Sequence, residues 1–324
     1  MSVTRTDFLA PVQAELDDFE RRLHAVVRAD MGPLADAMQQ ILDAGGKRIR
    51  PALVILAAHL GQPRIEDVFS TAMAIEFIHN ATLIHDDLID HAPTRRGLPT
   101  IHEVLGPGPA VIIGDYYFAK AANLMAQVGD PNIDVRLSQA VMTICYGEML
   151  QFTTQRKYEQ TEEEYYAKIG RKTAVLMATS TFCGAVTSDQ PKEAVAALER
   201  YGHLLGMAFQ IADDVLDYLA TEAEVGKPVG NDLKEGTVTL PLMLALQDPG
   251  VDGGLRRVLD RPVLRDADYA EVVSIVRHSR AIDESYEVAR RFGEQARAAL
   301  EVFPPSSYKD ALEELTHYVV RRRN

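Results

Sequence analysis

Two short acidic words suggest chemistry by their spacing. Asp86-Asp87-Leu88-Ile89-Asp90 and Asp213-Asp214-Val215-Leu216-Asp217 repeat one pattern, DDxxD, at two distant places in the chain. On a helix, residues four apart project from one face, so Asp86 with Asp90, and Asp213 with Asp217, each form a carboxylate pair, while Asp87 and Asp214 turn about 100° away. A lone run of this kind can be a solvated helix face. Here the first run follows AMAIEFIHNATLI (residues 72–84) and the second follows LLGMAFQIA (residues 204–212), segments apolar enough to be buried on most sides. No lysine or arginine stands three or four residues from either run. Carboxylates at the ends of buried helices require a cation or a raised pKa. Oxygen ligands without histidine or cysteine suit a hard ion, and magnesium takes one or two carboxylates together with substrate phosphate and water. The chemistry implied is a diphosphate clamped through bridging magnesium.

Basic residues agree with an anionic substrate. Gly45-Gly46-Lys47-Arg48-Ile49-Arg50-Pro51 reads as a tight turn opening a helix, where Lys47 and Arg50 share a face and the helix N-terminal N–H groups add positive potential. Arg95-Arg96-Gly97 follows the first acidic run closely. Lys172 and Thr173 interrupt an otherwise apolar helix, and Lys227, in a Gly-Lys-Pro loop, follows the second run. His79 lies two turns before Asp86 on roughly its face, and Gln210 precedes Asp213 by three residues. Each of these alone has an ordinary alternative: a surface turn, a flanking lysine, a satisfied core histidine.

The elements that must position these groups are helices. Apolar residues recur at three and four spacing through residues 8–27, 68–89, 110–125, 135–152, 165–182, 194–219, 240–246, 269–276, 282–300 and 309–320, and strand alternation is nearly absent. The pattern predicts an all-α helical bundle. No linker or low-complexity tract divides the 324 residues, so one domain spanning residues 1–324 is expected. The net charge of −13 disfavours nucleic acid as a partner. The opening MSVTRTDFLA lacks a signal-peptide pattern, and no stretch approaches the roughly 18 apolar residues of a membrane span, so a cytoplasmic protein without stable membrane insertion is expected. Cys145 and Cys183 lie in apolar helical contexts and are expected in the core, without a disulfide.

GGKRIRP, IHNATLIHDDLID, RRG, KTA, and FQIADDVLD followed by GKPVGNDL stand in the order and spacing of the trans-polyprenyl diphosphate synthases, and the resemblance covers residues 8–323. It implies an isoprenoid-synthase bundle of helices about a deep central cavity, usually a homodimer, with the two aspartate motifs on opposing walls. Asp86, Asp87, Asp90, Asp213, Asp214 and Asp217 would hold two or three magnesium ions. Lys47, Arg50, His79 and Arg96 would hold isopentenyl diphosphate, and Arg95, Lys172, Thr173, Gln210 and Lys227 would surround the allylic diphosphate. The implied reaction is head-to-tail (1'-4) condensation of these two substrates.

Product length is read from Ala81 and Thr82, just over one turn before Asp86, where relatives that stop at farnesyl or geranylgeranyl length place a bulky aromatic. Small residues here imply an open tunnel and an all-trans hexaprenyl to decaprenyl product of the kind used for quinone side chains. Alternatives are a shorter-chain synthase, a terpene cyclase or coupling enzyme, and a noncatalytic synthase subunit. One departure is visible: many relatives carry a lysine in the word written here Glu235-Gly236-Thr237, and Thr237 supplies no charge to a diphosphate.

Overall fold

The computed structural model describes residues 7–29, 32–43, 45–219 and 230–321. These pack into two compact units. The first comprises the described residues of Met1–Val141, Leu176–Gly202 and Ala299–Leu315, and the second those of Met142–Val175, His203–Ala298 and Thr316–Asn324. The fold is all-α, as expected.

In the first unit a short 3-10 turn (Asp7–Val12), imposed where Pro11 falls in the predicted helix, leads into α1 (Gln13–Arg28). Helices α2 (Pro33–Asp43) and α3 (Ile49–Ala58) follow, then the long α4 (Ile65–Ile89). Helix α4 is apolar around its whole circumference, which marks a helix surrounded by protein, and every residue from Thr71 to Ile78 is buried. Phe77 of α4 meets the fully buried Tyr117 of α6 (Pro107–Val128) edge to face at 5.3 Å. Burying a ring of this size contributes about 1.5–3 kcal/mol. Between α4 and α6 the chain makes a hairpin of two-residue strands, β1 (Thr94–Arg95) and β2 (Leu98–Pro99), and the short α5 (Ile101–Leu105). The hairpin turns on Arg96 and Gly97, both with positive φ, and places Arg95 back beside α4.

Helix α7 (Pro131–Thr154) is followed by α8 (Glu162–Ile169), which opens on a capping box: Thr161 accepts from the Glu164 N–H and the Glu164 carboxylate accepts from the Thr161 N–H. The single helix expected over residues 165–182 resolves into α8, a π turn (Gly170–Ala174) and α9 (Val175–Val186). The apolar spacing on both sides of the turn is helical, and one inserted residue does not erase it. Helix α10 (Lys192–Leu219) carries the second acidic motif near its C-terminal end. After it come the one-turn α11 (Asn231–Lys234), α12 (Leu240–Gln247), α13 (Asp252–Leu259), α14 (Asp266–Arg277), α15 (Ala281–Ala299) and α16 (Ser307–Arg321).

One expectation fails. Cys183 is buried, but Cys145 is exposed. Its neighbours Met142, Tyr146, Met149 and Phe152 are exposed too, so α7 has an apolar outer face and an apolar context does not mean an interior position there.

Candidate active site

In the first unit, basic residues gather around the end of α4. Gly45 and Arg48 both adopt left-handed backbone, turning the chain sharply into α3. The Arg48 guanidinium ion-pairs with Glu20 of α1 and, at 2.7 Å, with Glu76 of α4, a carboxylate only 4 % exposed. A Cβ on Gly46 would come within 3.0 Å of the Arg96 guanidinium, so glycine admits that side chain to the turn. The Arg50 Nε is buried without a hydrogen-bond partner. Burial, offset by Glu76 and reinforced by Arg96, brings Arg50 down to about 10, still charged at neutral pH. Burial and the fields of Arg50, Arg96, Arg95 and Arg48 hold His79 well below its usual pKa, so it offers hydrogen bonds and no charge. Lys47 lies exposed at the turn. The structure therefore groups Arg50, His79, Arg95 and Arg96, all named from sequence, and adds Arg48 and Glu76. Glu76 was detectable as the one acid inside an apolar run.

Asp87 is 7 % exposed and accepts from Arg95 Nε through both oxygens, at 2.7 and 2.8 Å. The pairing cation thus comes from the hairpin, eight residues on, outside the helical spacing searched in the sequence. Asp86 and Asp90, on the other face of α4, are partly exposed.

The second unit treats its central aspartate the same way. Asp214, 3 % exposed, accepts from Tyr165 Oη at 2.6 Å and from Gln210 Nε2 at 2.8 Å, and Gln210 Oε1 accepts from Thr173 Oγ1 at 2.6 Å. Asp217 accepts the N–H groups of Asn231 and Asp232 at 3.2 Å each. Lys172 pairs with Glu148 at 2.8 Å and lies 3.3 Å from Gln151 Oε1. Lys172 and Thr173 stand within the π turn, which Gly206 allows α10 to approach: a Cβ there would lie 2.5 Å from the Ala174 Cα. Tyr165, Glu148, Gln151 and Asp232 were not singled out from sequence, because a tyrosine or acid on a helix carries no signal until its partner is known. Lys227 lies outside the described residues. Thr237 donates its N–H to the Asp232 carbonyl at 2.7 Å, and its Oγ1 is buried without a partner.

Ala81 is fully buried, and Thr82 Oγ1 donates to the His79 carbonyl at 2.8 Å. Five residues of α-helix rotate by about 140° net of a full turn, so Ala81 faces away from Asp86 and Thr82 shares its side.

The sequence matches the family model described as polyprenyl synthetase over residues 32–276. The chain belongs to the polyprenyl synthetase family. Members of this family frame the match. Heptaprenyl diphosphate synthase component 2 of Geobacillus stearothermophilus is 39 % identical over 308 residues, 95 % of this chain and 96 % of that protein. The heptaprenyl diphosphate synthase structure from Staphylococcus aureus superposes with a TM-score of 0.92 at 35 % identity, covering 97 % of this chain and 99 % of that one. The polyprenyl synthase of Caulobacter crescentus, crystallised with calcium and isoprenyl diphosphate, gives 0.93 at 33 % identity over the whole of both chains. Membership makes the protein a prenyltransferase.

The donor set of this polyprenyl synthetase fits a divalent cation. Burial, then the charge of Asp232, raises the Asp214 carboxyl to about 7 and the Asp217 carboxyl to about 8, the mark of acids crowded together without enough positive charge. Among the described residues no three His, Cys, Asp or Glu side chains form a ready cage. In metal-free protein the folded state keeps protons on these two acids that the unfolded chain, with Asp near 3.9, releases. Stability is therefore greatest below about pH 4 for these groups and falls as pH rises through 7 to 8, by up to about 1.4 kcal/mol per pH unit per proton. Urea unfolding in EDTA is expected to show lower stability at pH 8 than at pH 6, with magnesium abolishing the difference. An EDTA profile that rises with pH would refute the crowding.

Proposed function

We infer that this protein condenses isopentenyl diphosphate head to tail with an allylic prenyl diphosphate to give an all-trans polyprenyl diphosphate of medium or long chain, from hexaprenyl to decaprenyl. The observation that supports it most is the shared construction of the two acidic motifs. In each, the central aspartate is tied into its own unit, Asp87 by Arg95 and Asp214 by Tyr165 and Gln210, while the outer pairs Asp86/Asp90 and Asp213/Asp217 lie on another helix face. Relatives named as heptaprenyl and nonaprenyl diphosphate synthases agree with the chain length.

Two or three magnesium ions at these carboxylates would stabilise negative charge developing on the allylic diphosphate as its C–O bond breaks. Asp86 and Asp90 in the first unit, and Asp213 and Asp217 in the second, would each supply metal ligands. In the second unit Lys172, aligned by Glu148 and Gln151, and Lys227 bind diphosphate, and Thr173 with Gln210 keeps Asp214 in place; in the first, Arg95 is the diphosphate ligand. Lys47, Arg50, His79 and Arg96 anchor isopentenyl diphosphate, whose double bond attacks the allylic cation. Among the described residues no side chain presents itself as base, and the released diphosphate is placed to take the proton.

The protein acts in the cytoplasm; among the described residues no helix is long and apolar enough to cross a membrane. The exposed apolar face of α7, with Met142, Tyr146, Met149 and Phe152, supports a homodimer. The Geobacillus relative is named as a component 2, so a second kind of subunit is the alternative outcome of a sizing experiment.

The decisive experiment supplies pure protein with magnesium, farnesyl diphosphate and labelled isopentenyl diphosphate and sizes the extracted product. A chain of six to ten isoprene units is expected; arrest at geranylgeranyl length would overturn the chain-length reading, and product formed without isopentenyl diphosphate would favour a cyclase. In the same assay Thr82→Tyr, on the Asp86 side of α4, should shorten the product by filling the path beside that helix. An unchanged product would remove Thr82 from the tunnel.

A further inference from the structure

Lys168 has no part in the reaction described so far, yet it occupies a costly position. It lies on α8, 5 % exposed, four residues before Lys172. A buried ammonium is tolerated only where other groups compensate its lost hydration. Its Nζ donates to the Val238 carbonyl at 3.0 Å and stands 5.7 Å from the centre of the Tyr165 ring. Tyr165 is the residue that donates to Asp214. Lys168 makes no ion pair among the described residues, so no single carboxylate neutralises it; the fields of Asp214 and Asp232 act on it together. Asp232 in turn donates its N–H to Asp217 and accepts from the Thr237 N–H, one residue before Val238. One ammonium is thus joined to the second acidic motif by charge and to the segment after Asp232 by a hydrogen bond.

We propose that Lys168 is a positioning residue of the second acidic motif: a resident counter-cation, placed behind Tyr165, that holds Asp214 and Asp232 together when no metal is bound and weakens the motif's grip on a divalent ion. The inference rests on the metal reading given above. A fixed positive charge near a metal site repels the incoming ion, so it trades affinity for reversibility, which benefits a site that must let its ions depart with diphosphate at every cycle. The tether to Val238 serves a separate purpose, fixing the chain from Thr237 onward beside that motif.

The two roles can be separated. Lys168→Gln keeps a donor for the Val238 carbonyl and loses the charge, Lys168→Arg keeps the charge, and Lys168→Met loses both. Calorimetric titration with Mg2+ alone at pH 8.5, in the absence of diphosphate, should show Lys168→Gln and Lys168→Met binding about tenfold more tightly than wild type, with Lys168→Arg close to wild type. In EDTA the two uncharged variants should melt at lower temperature than wild type, and Mg2+ should restore the loss. A residue that only fills space would lower the melting point without tightening metal binding. If Lys168→Met does not fold in EDTA, Lys168→Gln carries the comparison. Unchanged affinity in both uncharged variants, against measurable binding by wild type, would overturn the role of Lys168 alone. Failure of wild type to bind Mg2+, with turnover that needs no metal, would overturn the metal reading and this inference with it.

Discussion

Asp86→Ala and Asp213→Ala should each cut turnover by on the order of a thousandfold or more, about 4 kcal/mol of lost transition-state stabilisation, while far-ultraviolet circular dichroism stays at the wild-type level. Both halves of that expectation come from position. Asp86 is partly exposed and Asp213 is exposed, so neither truncation opens a cavity in the core. On the proposed function, what each would lose is an oxygen ligand for a cation that carries charge off the diphosphate. The central aspartates should respond differently: Asp87→Ala strands the Arg95 guanidinium, and Asp214→Ala strands the Tyr165 hydroxyl and the Gln210 amide, so these variants should lose stability as well as rate. Product formation at wild-type rates by Asp86→Ala or Asp213→Ala would remove that residue from the metal site.

Gly206→Ala is expected to be nearly as damaging to catalysis without touching a substrate-binding side chain. The new methyl group would lie 2.5 Å from the Ala174 Cα and 2.9 Å from its Cβ. The first is backbone, which cannot swing aside as a flexible side chain would, so α10 or the π turn must shift. Overpacking of this kind costs about 3 kcal/mol, and a displacement near 1 Å at Lys172 and Thr173 can reduce turnover by about a hundredfold. Gly253→Ala is the control. That residue lies in the first turn of α13, and a methyl group there would meet nothing within 4 Å, so alanine should be neutral or stabilise by up to about 1 kcal/mol. Thermal denaturation and steady-state kinetics on the two variants check the contrast; equal behaviour would show that the close approach is unimportant.

The helical class was legible because three and four spacing survives almost everywhere, including through the π turn that it conceals. The acidic motifs were legible because aspartates are rarely placed at the ends of runs as apolar as residues 72–84. What the sequence withheld were partners. The Arg95–Asp87 pair closes through a hairpin with two successive positive-φ residues, Arg96 and Gly97, and helical periodicity says nothing of such a turn. Glu76 looks like an isolated misplaced acid until Arg48 and Arg50 are seen beside it. Ala81 and Thr82 both lie about one turn before Asp86 in sequence, and only the helix rotation shows that Thr82 shares its side and Ala81 does not. Tyr165, Lys168 and Asp232 acquire meaning only around Asp214 and Asp217, since their chain positions follow no common period.

The π turn at Gly170–Ala174 bears on how this region can change over evolutionary time. Such a turn is an α-helix carrying one residue too many, and loss of that residue restores an unbroken helix. The stretch from Glu162 to Val186 therefore has two lengths at which its backbone is satisfied. At the shorter one, everything after the lost residue rotates by about 100° relative to α8, so Tyr165 and Thr173 could no longer converge on Asp214 and Gln210 together. A deletion here is accommodated by the backbone, but it strands the partners of Asp214, so the supernumerary residue serves the acidic motif and not the helix that carries it.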